Sequence, residues 1–211
     1  MVDIIIVGAG SAAREILSII QDINKKEDRW NIIGFIADYG QNIEKYTKGR
    51  YKIIGTINEW IPKANEFFTV AIADPKGREF VVNKLREKRA KFVNIIHPTV
   101  RINDYCKMGK GIILYPYASV GNNAKIGDFT FIQGSNIAHD VRIGEFTTVS
   151  GLCGILGNVY IGKRVFVGSH SVIIPDKAVG DDSYIGAGSV VIKNVKSGTK
   201  VFGNPAKVVD F

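Results

Sequence analysis

Cysteine is scarce in this sequence, with two in 211 residues, and neither Cys106 nor Cys153 has a CxxC partner. That excludes a disulfide framework and the common zinc-ribbon spacings, and it leads us to expect a cytoplasmic chain with reduced thiols. Long apolar runs are missing as well. No stretch reaches the roughly 20 residues that a membrane-spanning helix needs, so no membrane partner is expected. Met1-Val2-Asp3 lacks a basic opening and the apolar run Ile4 to Val7 is too short for a signal peptide. Charge of one sign is not segregated: 28 basic and 20 acidic residues give a net charge of +8, scattered along the chain. The surplus suits an anionic ligand such as a phosphate. No recognition helix, RNA-binding signature or zinc-finger spacing accompanies it, so nucleic acid is not expected as a partner.

What is present divides into two unlike halves. The first opens with the aliphatic run Asp3-Ile4-Ile5-Ile6-Val7, the mark of a strand buried on both faces, followed at once by Gly8-Ala9-Gly10-Ser11-Ala12-Ala13. Ile16, Leu17, Ile19, Ile20 and Ile23 then recur at helical spacing, with Ser11 placed to act as the N-cap. Further strands are expected over 31–36, 52–55, 67–73 and 92–95, with a basic helix over 76–89. This alternation predicts a small Rossmann-like parallel α/β domain over residues 1–96, with its ligand at the carboxyl ends of the strands. Gly8, Gly10, Ser11 and Asp38 fall there. Gly8-x-Gly10-x-x-Ala13 satisfies the relaxed dinucleotide fingerprint, but the domain has room for one mononucleotide-binding half only. A mononucleotide or nucleotide sugar is therefore favoured over NAD or over a turn with no ligand.

The second half, 97–211, counts in sixes. Aliphatic residues stand at Ile102, Met108, Leu114, Val120, Ile126 and Ile132, then from Ile137 through Ile143, Val149, Ile155, Ile161, Val167, Ile173, Val179 and Ile185 to Val191. The one irregular step is the five residues from Ile132 to Ile137. Small residues follow four positions later, with Lys177 as the clear exception, and glycine often comes directly after the aliphatic residue. Six is too short for a helical repeat and predicts a parallel β-helix, each hexad giving one strand and one corner. Phe129, Phe131, Phe146, Tyr160 and Phe166 are expected on its flat faces, available for burial against other copies of the chain.

A side chain that titrates near neutrality suits general acid–base work, and the sequence has three histidines, His97, His139 and His170. His97 precedes Pro98 at the domain junction and is read as structural. His139 follows the inward-facing Ile137 by two, so it is expected at a corner outside the packed core, with Asp140 beside it to orient the ring. The irregular step sits immediately before this pair. Neither cysteine is placed as a nucleophile. A zinc hydrase on the same fold would need three histidines, and only His139 and His170 fall within the repeats, so no metal is expected.

The Gly8-Ala9-Gly10 turn, the His97-Pro98 junction, His139-Asp140, the segment Gly157-Asn158-Val159-Tyr160-Ile161-Gly162 and the ending Gly203-Asn204-Pro205-Ala206-Lys207 together resemble the hexapeptide sugar acetyltransferases of bacterial surface-glycan synthesis. These include bacillosamine-pathway N-acetyltransferases and the sialic acid O-acetyltransferase group. The resemblance implies a left-handed β-helix, a homotrimer, and acetyl-CoA as donor to an amino group on a nucleotide-linked sugar, with O-acetylation as the alternative and a non-catalytic binding protein behind both. It makes His139 the general base, Asp140 its orienting acid and the Gly157 N–H a donor to the thioester carbonyl. CoA would lie between adjacent β-helices near Ser169 and Ala187, reaching Asn204, Pro205 and Lys207. The nucleotide would sit at Gly8, Gly10, Ser11 and Asp38. Two departures stand out: Ser11-Ala12-Ala13 replaces the Gly-His of the bacillosamine-type turn, and Thr148 stands where one enzyme type has a second histidine.

Overall fold

The computed structural model describes residues 1–38 and 42–209, which fall into two compact units, Met1–Pro98 and Thr99–Phe211. In the first unit, β1 (Val2–Val7) is the middle of a five-stranded parallel sheet. It is flanked by β2 (Trp30–Ile36) and β4 (Glu66–Val70), with β3 (Ile53–Gly55) and β5 (Lys91–Phe92) at the edges. Ile4 to Val7 are fully buried, as a central strand covered on both faces requires. Helix α1 (Ser11–Lys26) lays Ile16, Leu17, Ile19, Ile20 and Ile23 into the core. The short helix α2 (Ile43–Tyr46) follows β2, and α3 (Pro75–Glu87) follows β4. Pro75 opens α3 behind an Asp74 cap, whose carboxylate accepts the Gly77 N–H at 2.6 Å.

One local expectation fails. The cap of α1 is Gly10, in extended conformation at φ −82°, while Ser11 is already the first helical residue and no side chain caps the end. The turn therefore leaves its first N–H groups open.

The second unit winds through three faces of short parallel strands, two residues in most rungs. The first face stacks Arg101–Ile102, Ser119–Val120, Asn136–Ile137, Gly154–Ile155, Val172–Ile173 and Val190–Val191. The second stacks Lys107–Met108, Lys125–Ile126, Arg142–Ile143, Tyr160–Ile161 and Ala178–Val179. The third runs from Ile113–Leu114 through Phe131–Ile132, Thr148–Val149, Phe166–Val167 and Tyr184–Ile185 to the terminal hairpin of Lys200–Phe202 and Lys207–Val208. The second residue of each strand points inward and is buried from Leu114 to Val191, whereas Ile102 at the first rung stays exposed.

Each regular corner places its third residue after the inward aliphatic in the left-handed region: Asn123, Asp140, Leu152, Asn158, His170, Asp176 and Asp182 all have φ between 58° and 62°. The irregular step is a corner one residue shorter. Gly134 takes the left-handed conformation one place early, at φ 42°, and Ser135 fills the interior at 2 % exposure. The Ser135 hydroxyl donates to the Ser150 carbonyl at 2.6 Å and accepts the Cys153 N–H at 2.9 Å, so the shorter corner leaves no polar group unpaired there.

The aromatic expectation also needs correction. Phe129, Phe131 and Phe146 are buried within the single chain, at 3 % exposure or less. Phe129 and Phe146 stack on each other with centroids 5.3 Å apart, and Phe131 packs on Tyr115. Of the five, Tyr160 is exposed and Phe166 half-buried, so these two alone offer aromatic surface to a neighbour.

Candidate active site

The candidate site lies at the corner between the first and second faces. Paired strands fix the stacking: Val120 lies beside Ile137, Ile137 beside Ile155, and Ile155 beside Ile173. The second residues after these form one column, Asn122, His139, Gly157 and Pro175, and the third residues form another, Asn123, Asp140, Asn158 and Asp176. Asn and Asp tolerate the left-handed backbone that the second column demands. Its backbone is laced by Asp140 N–H to Asn122 O at 2.9 Å, Asn158 N–H to His139 O at 3.0 Å and Asp176 N–H to Gly157 O at 3.1 Å.

His139 is exposed, and its Nδ1 lies 2.8 Å from Asp140 Oδ2. With Nδ1 donating to the carboxylate, Nε2 keeps its lone pair for an incoming proton. The hydrogen bond from His139 is the largest influence holding the Asp140 carboxyl below the usual carboxylate range, aided by Asn123 and by the Arg142 charge and opposed by desolvation. Gly157 lies directly under the ring. A Cβ there would fall 2.6 Å from His139 Cε1 and 2.7 Å from Nε2, so only glycine lets the ring occupy this position. The Gly157 N–H donates to no group among the described residues and is available to a ligand oxygen.

Ser169 and Ala187 do not join this corner. They stack at the corner between the third and first faces, where the Gly188 N–H donates to Ser169 O. Tyr117 and Leu152 project from that same corner, 80 % and 67 % exposed with φ of 62° and 60°. Large apolar side chains rarely take that backbone conformation on an open surface. His170 stands there too, far from His139 around the prism, and among the described residues no group of three or more metal-binding side chains converges.

Asn204, Pro205 and Lys207 lie on the terminal hairpin and are exposed. Lys207 borders a cavity of about 430 Å³ together with Lys193, Asn194 and Lys196. The two further lysines escaped the sequence reading because no motif marks them. The rung count finds one of them: Lys193 continues the column of His139, Gly157 and Pro175, three rungs on, or ~14 Å along the axis at strand spacing.

In the first unit, Gly8, Gly10 and Ser11 cluster at the carboxyl end of β1, where the strand order reverses between β1 and β4. Gly8 has φ 102°, and a Cβ there would meet the Ala71 carbonyl at 3.2 Å, while the space above Gly10 is open. Arg78 braces the neighbouring loop. Its guanidinium is buried and donates to Ile72 O at 2.6 Å and Ala73 O at 3.0 Å, and burial pushes its pKa down to about 9. Asp38 accepts the Asn58 N–H at 3.1 Å, which commits one carboxylate oxygen to the fold. His97 is buried, with Nε2 3.4 Å from Asp22 Oδ2.

Comparison with known proteins agrees with both halves. Residues 3–85 match the PglD N-terminal domain family. The chain is 30 % identical over 213 residues to GDP-perosamine N-acetyltransferase of Escherichia coli O157:H7, covering 96 % of this chain and 94 % of that one. Among solved structures, WeeI from Acinetobacter baumannii AYE superposes with a TM-score of 0.86 at 27 % identity, covering 99 % of this chain and all of that one. PerB from Caulobacter crescentus, solved with CoA and GDP-perosamine, has a TM-score of 0.87 at 22 % identity over 99 % of this chain and 97 % of its own. The shared architecture is a Rossmann-like parallel α/β domain followed by a left-handed parallel β-helix. Likeness over nearly the whole length of a curated relative places this chain in the hexapeptide-repeat sugar N-acetyltransferase family.

Proposed function

We propose that the chain transfers acetyl from acetyl-CoA to the amino group of a nucleotide-linked amino sugar used in surface-glycan synthesis. The observation that carries this is the His139–Asp140 pair at 2.8 Å, set over a glycine whose N–H is unspent. The amine nitrogen attacks the thioester carbonyl, and the developing oxyanion takes the Gly157 N–H. His139 Nε2 accepts the proton the nitrogen sheds, Asp140 stabilises the imidazolium, and the C–S bond breaks to release CoA. No covalent enzyme intermediate is required. Lys193, Lys196 and Lys207, with Asn204 and Pro205 on the hairpin, suit the phosphates of CoA. Gly8, Gly10, Ser11 and Asp38 suit the nucleotide of the acceptor, and the relative that acts on GDP-perosamine supports that class of substrate.

The functional assembly in this reading is a homotrimer. Ser169 and Ala187 then reach CoA from a neighbouring copy, and the exposed Tyr117 and Leu152 on their corner are covered. The location in this reading is cytoplasmic, which the two free thiols Cys106 and Cys153 support. The test is His139→Ala assayed with GDP-perosamine and acetyl-CoA. The expected result is a fall in kcat of roughly two to four orders of magnitude with CoA binding retained; full activity in that variant removes the proposed base.

A further inference from the structure

The first unit holds a cavity at the end of its sheet opposite the glycine turn. Trp30 pairs with Val2 where β2 and β1 begin, while Gly8 follows the last residue of β1, ~20 Å away at the rise of a strand. The cavity, of about 510 Å³, lies against the last turn of α1, the connection into β2 and the segment 94–98. That volume is within the ~300–1,000 Å³ usual for small-molecule sites. None of the candidate catalytic, CoA or nucleotide residues lines it.

Its walls are fixed by contacts inside the unit. The Asn24 side chain holds the Trp30 backbone from both sides, donating to the carbonyl at 2.6 Å and accepting the N–H at 2.9 Å. His97 ties the segment 94–98 to α1 through Asp22, at 3.4 Å. Ile23 and Trp30, 5 % and 4 % exposed, give the cavity an apolar floor that Ile96 and Pro98 extend. Lys26, Glu27 and Arg29 stand exposed around it. Glu27 pairs with Arg29 at 3.3 Å, and the Arg29 guanidinium lies 5.0 Å from the Trp30 ring centroid. Lys26 makes no ion pair among the described residues, so the rim carries one positive charge in surplus.

The indole supplies a second, independent observation. Trp30 Nε1 is buried and finds no hydrogen-bond partner among the described residues. A donor withheld from water and left unpaired works against folding. Trp60, the other tryptophan, shows the usual solution: its Nε1 donates to Glu66 Oε2 at 3.1 Å.

We propose that this cavity binds a small monocarboxylate with an aromatic or branched aliphatic body, at a site separate from those of the donor and the acceptor. The body packs on Ile23, Trp30 and Ile96. The carboxylate neutralises the surplus charge at Lys26 and accepts the Trp30 Nε1–H. A rim with one positive charge to spare suits a monoanion, whereas a phosphate dianion would leave negative charge facing Glu27. A ligand held between α1 and the segment 94–98 binds only the folded unit, so it stabilises that unit in proportion to its occupancy.

The probe is phenylacetate, titrated calorimetrically into the full chain, with 2-phenylethanol as the uncharged counterpart of the same shape. The indole N–H resonances of the two tryptophans report the place of binding, and Trp30→Phe assigns them. Phenylacetate is expected to move the Trp30 resonance, to leave that of Trp60 in place and to raise the melting temperature. Lys26→Gln, at an exposed position, should weaken it at least about tenfold, as the loss of a contact to a charged group does, and 2-phenylethanol should bind as weakly to the unaltered chain. Saturating GDP-perosamine should leave the phenylacetate affinity within twofold. An unmoved Trp30 resonance overturns the proposal, and so does equal affinity for 2-phenylethanol or for phenylacetate in Lys26→Gln. Displacement of phenylacetate by GDP-perosamine overturns it as well, because the probe then occupies the acceptor's site.

Discussion

At the level of single residues, the site rests on how little room surrounds the His139 ring. Gly157→Ala inserts a methyl into the space that Cε1 and Nε2 occupy, and the exposed ring swings aside rather than straining the core. The expected outcome is a fall in kcat of about a hundredfold, through lost alignment, with a thermal midpoint little changed; a Gly157→Ala enzyme of normal kcat would show that the ring's place over the glycine has no catalytic use. Asp140→Asn removes the charge that stabilises the imidazolium, and steady-state kinetics should find kcat lowered by up to about four orders of magnitude. The sign for the native pair follows from the depressed Asp140 carboxyl. Its stabilising contribution is present above the unfolded-state carboxylate range and is lost as pH falls through the lowered value, so a binding or melting signal tied to this pair should persist through the ordinary carboxylate titration. His139 and Asp140 were legible in the sequence because both sit at a fixed offset from an inward aliphatic. Arg78 was not, since a buried guanidinium held by carbonyls leaves no trace in spacing.

At the level of elements, the glycines of the β-helix differ in what stands beside them. A Cβ on Gly144 would lie 2.5 to 2.7 Å from backbone atoms of Gly162 and Lys163, which cannot move without shifting a rung. A Cβ on Gly154 would meet nothing closer than 3.8 Å. Gly144→Ala should therefore cost roughly 1–3 kcal/mol and Gly154→Ala nothing comparable, a contrast that paired denaturant melts will resolve. The hexad count foretold the inward positions because a two-residue strand permits one inward side chain per rung. It could not foretell that Ser135 fills the shortened corner, since its position departs by one from the pattern, nor that Gly10 rather than Ser11 caps α1. Caps depend on where the backbone leaves the extended region, and two adjacent small residues give the sequence no means to choose. The burial of Phe129 and Phe146 was hidden for a related reason: they sit at corners and stack rung on rung, not on a flat face.

At the level of the whole molecule, the interior is nearly one-dimensional, each coil resting on the coils before and after it. A large cavity in the middle, as in Ile155→Ala at a fully buried site, should destabilise by about 2–5 kcal/mol. Association is the other property of this scale. In the trimeric reading, Leu152→Asp places a charge on the corner that meets a neighbour, and light scattering on the purified variant should find a lighter species with acetyl-CoA affinity reduced. A Leu152→Asp protein of unchanged mass would put the subunit contact elsewhere. The repeat architecture was readable from the period, because it reflects which residues are buried. Which corner of one coil serves which corner of another copy was not, because that information lies in surfaces that no periodicity records.

The stacked coils also make the β-helix a ruler with fixed graduations. Distances along its axis change only in whole steps of ~4.8 Å, each costing a full turn of eighteen residues, so in the proposed reading the reach from His139 to Lys193 admits donors of one length class. Splicing one extra turn between residues 157 and 175 would lengthen that reach by a single graduation without altering any side chain, and the enzyme would then favour a longer thioester arm over the one it now measures.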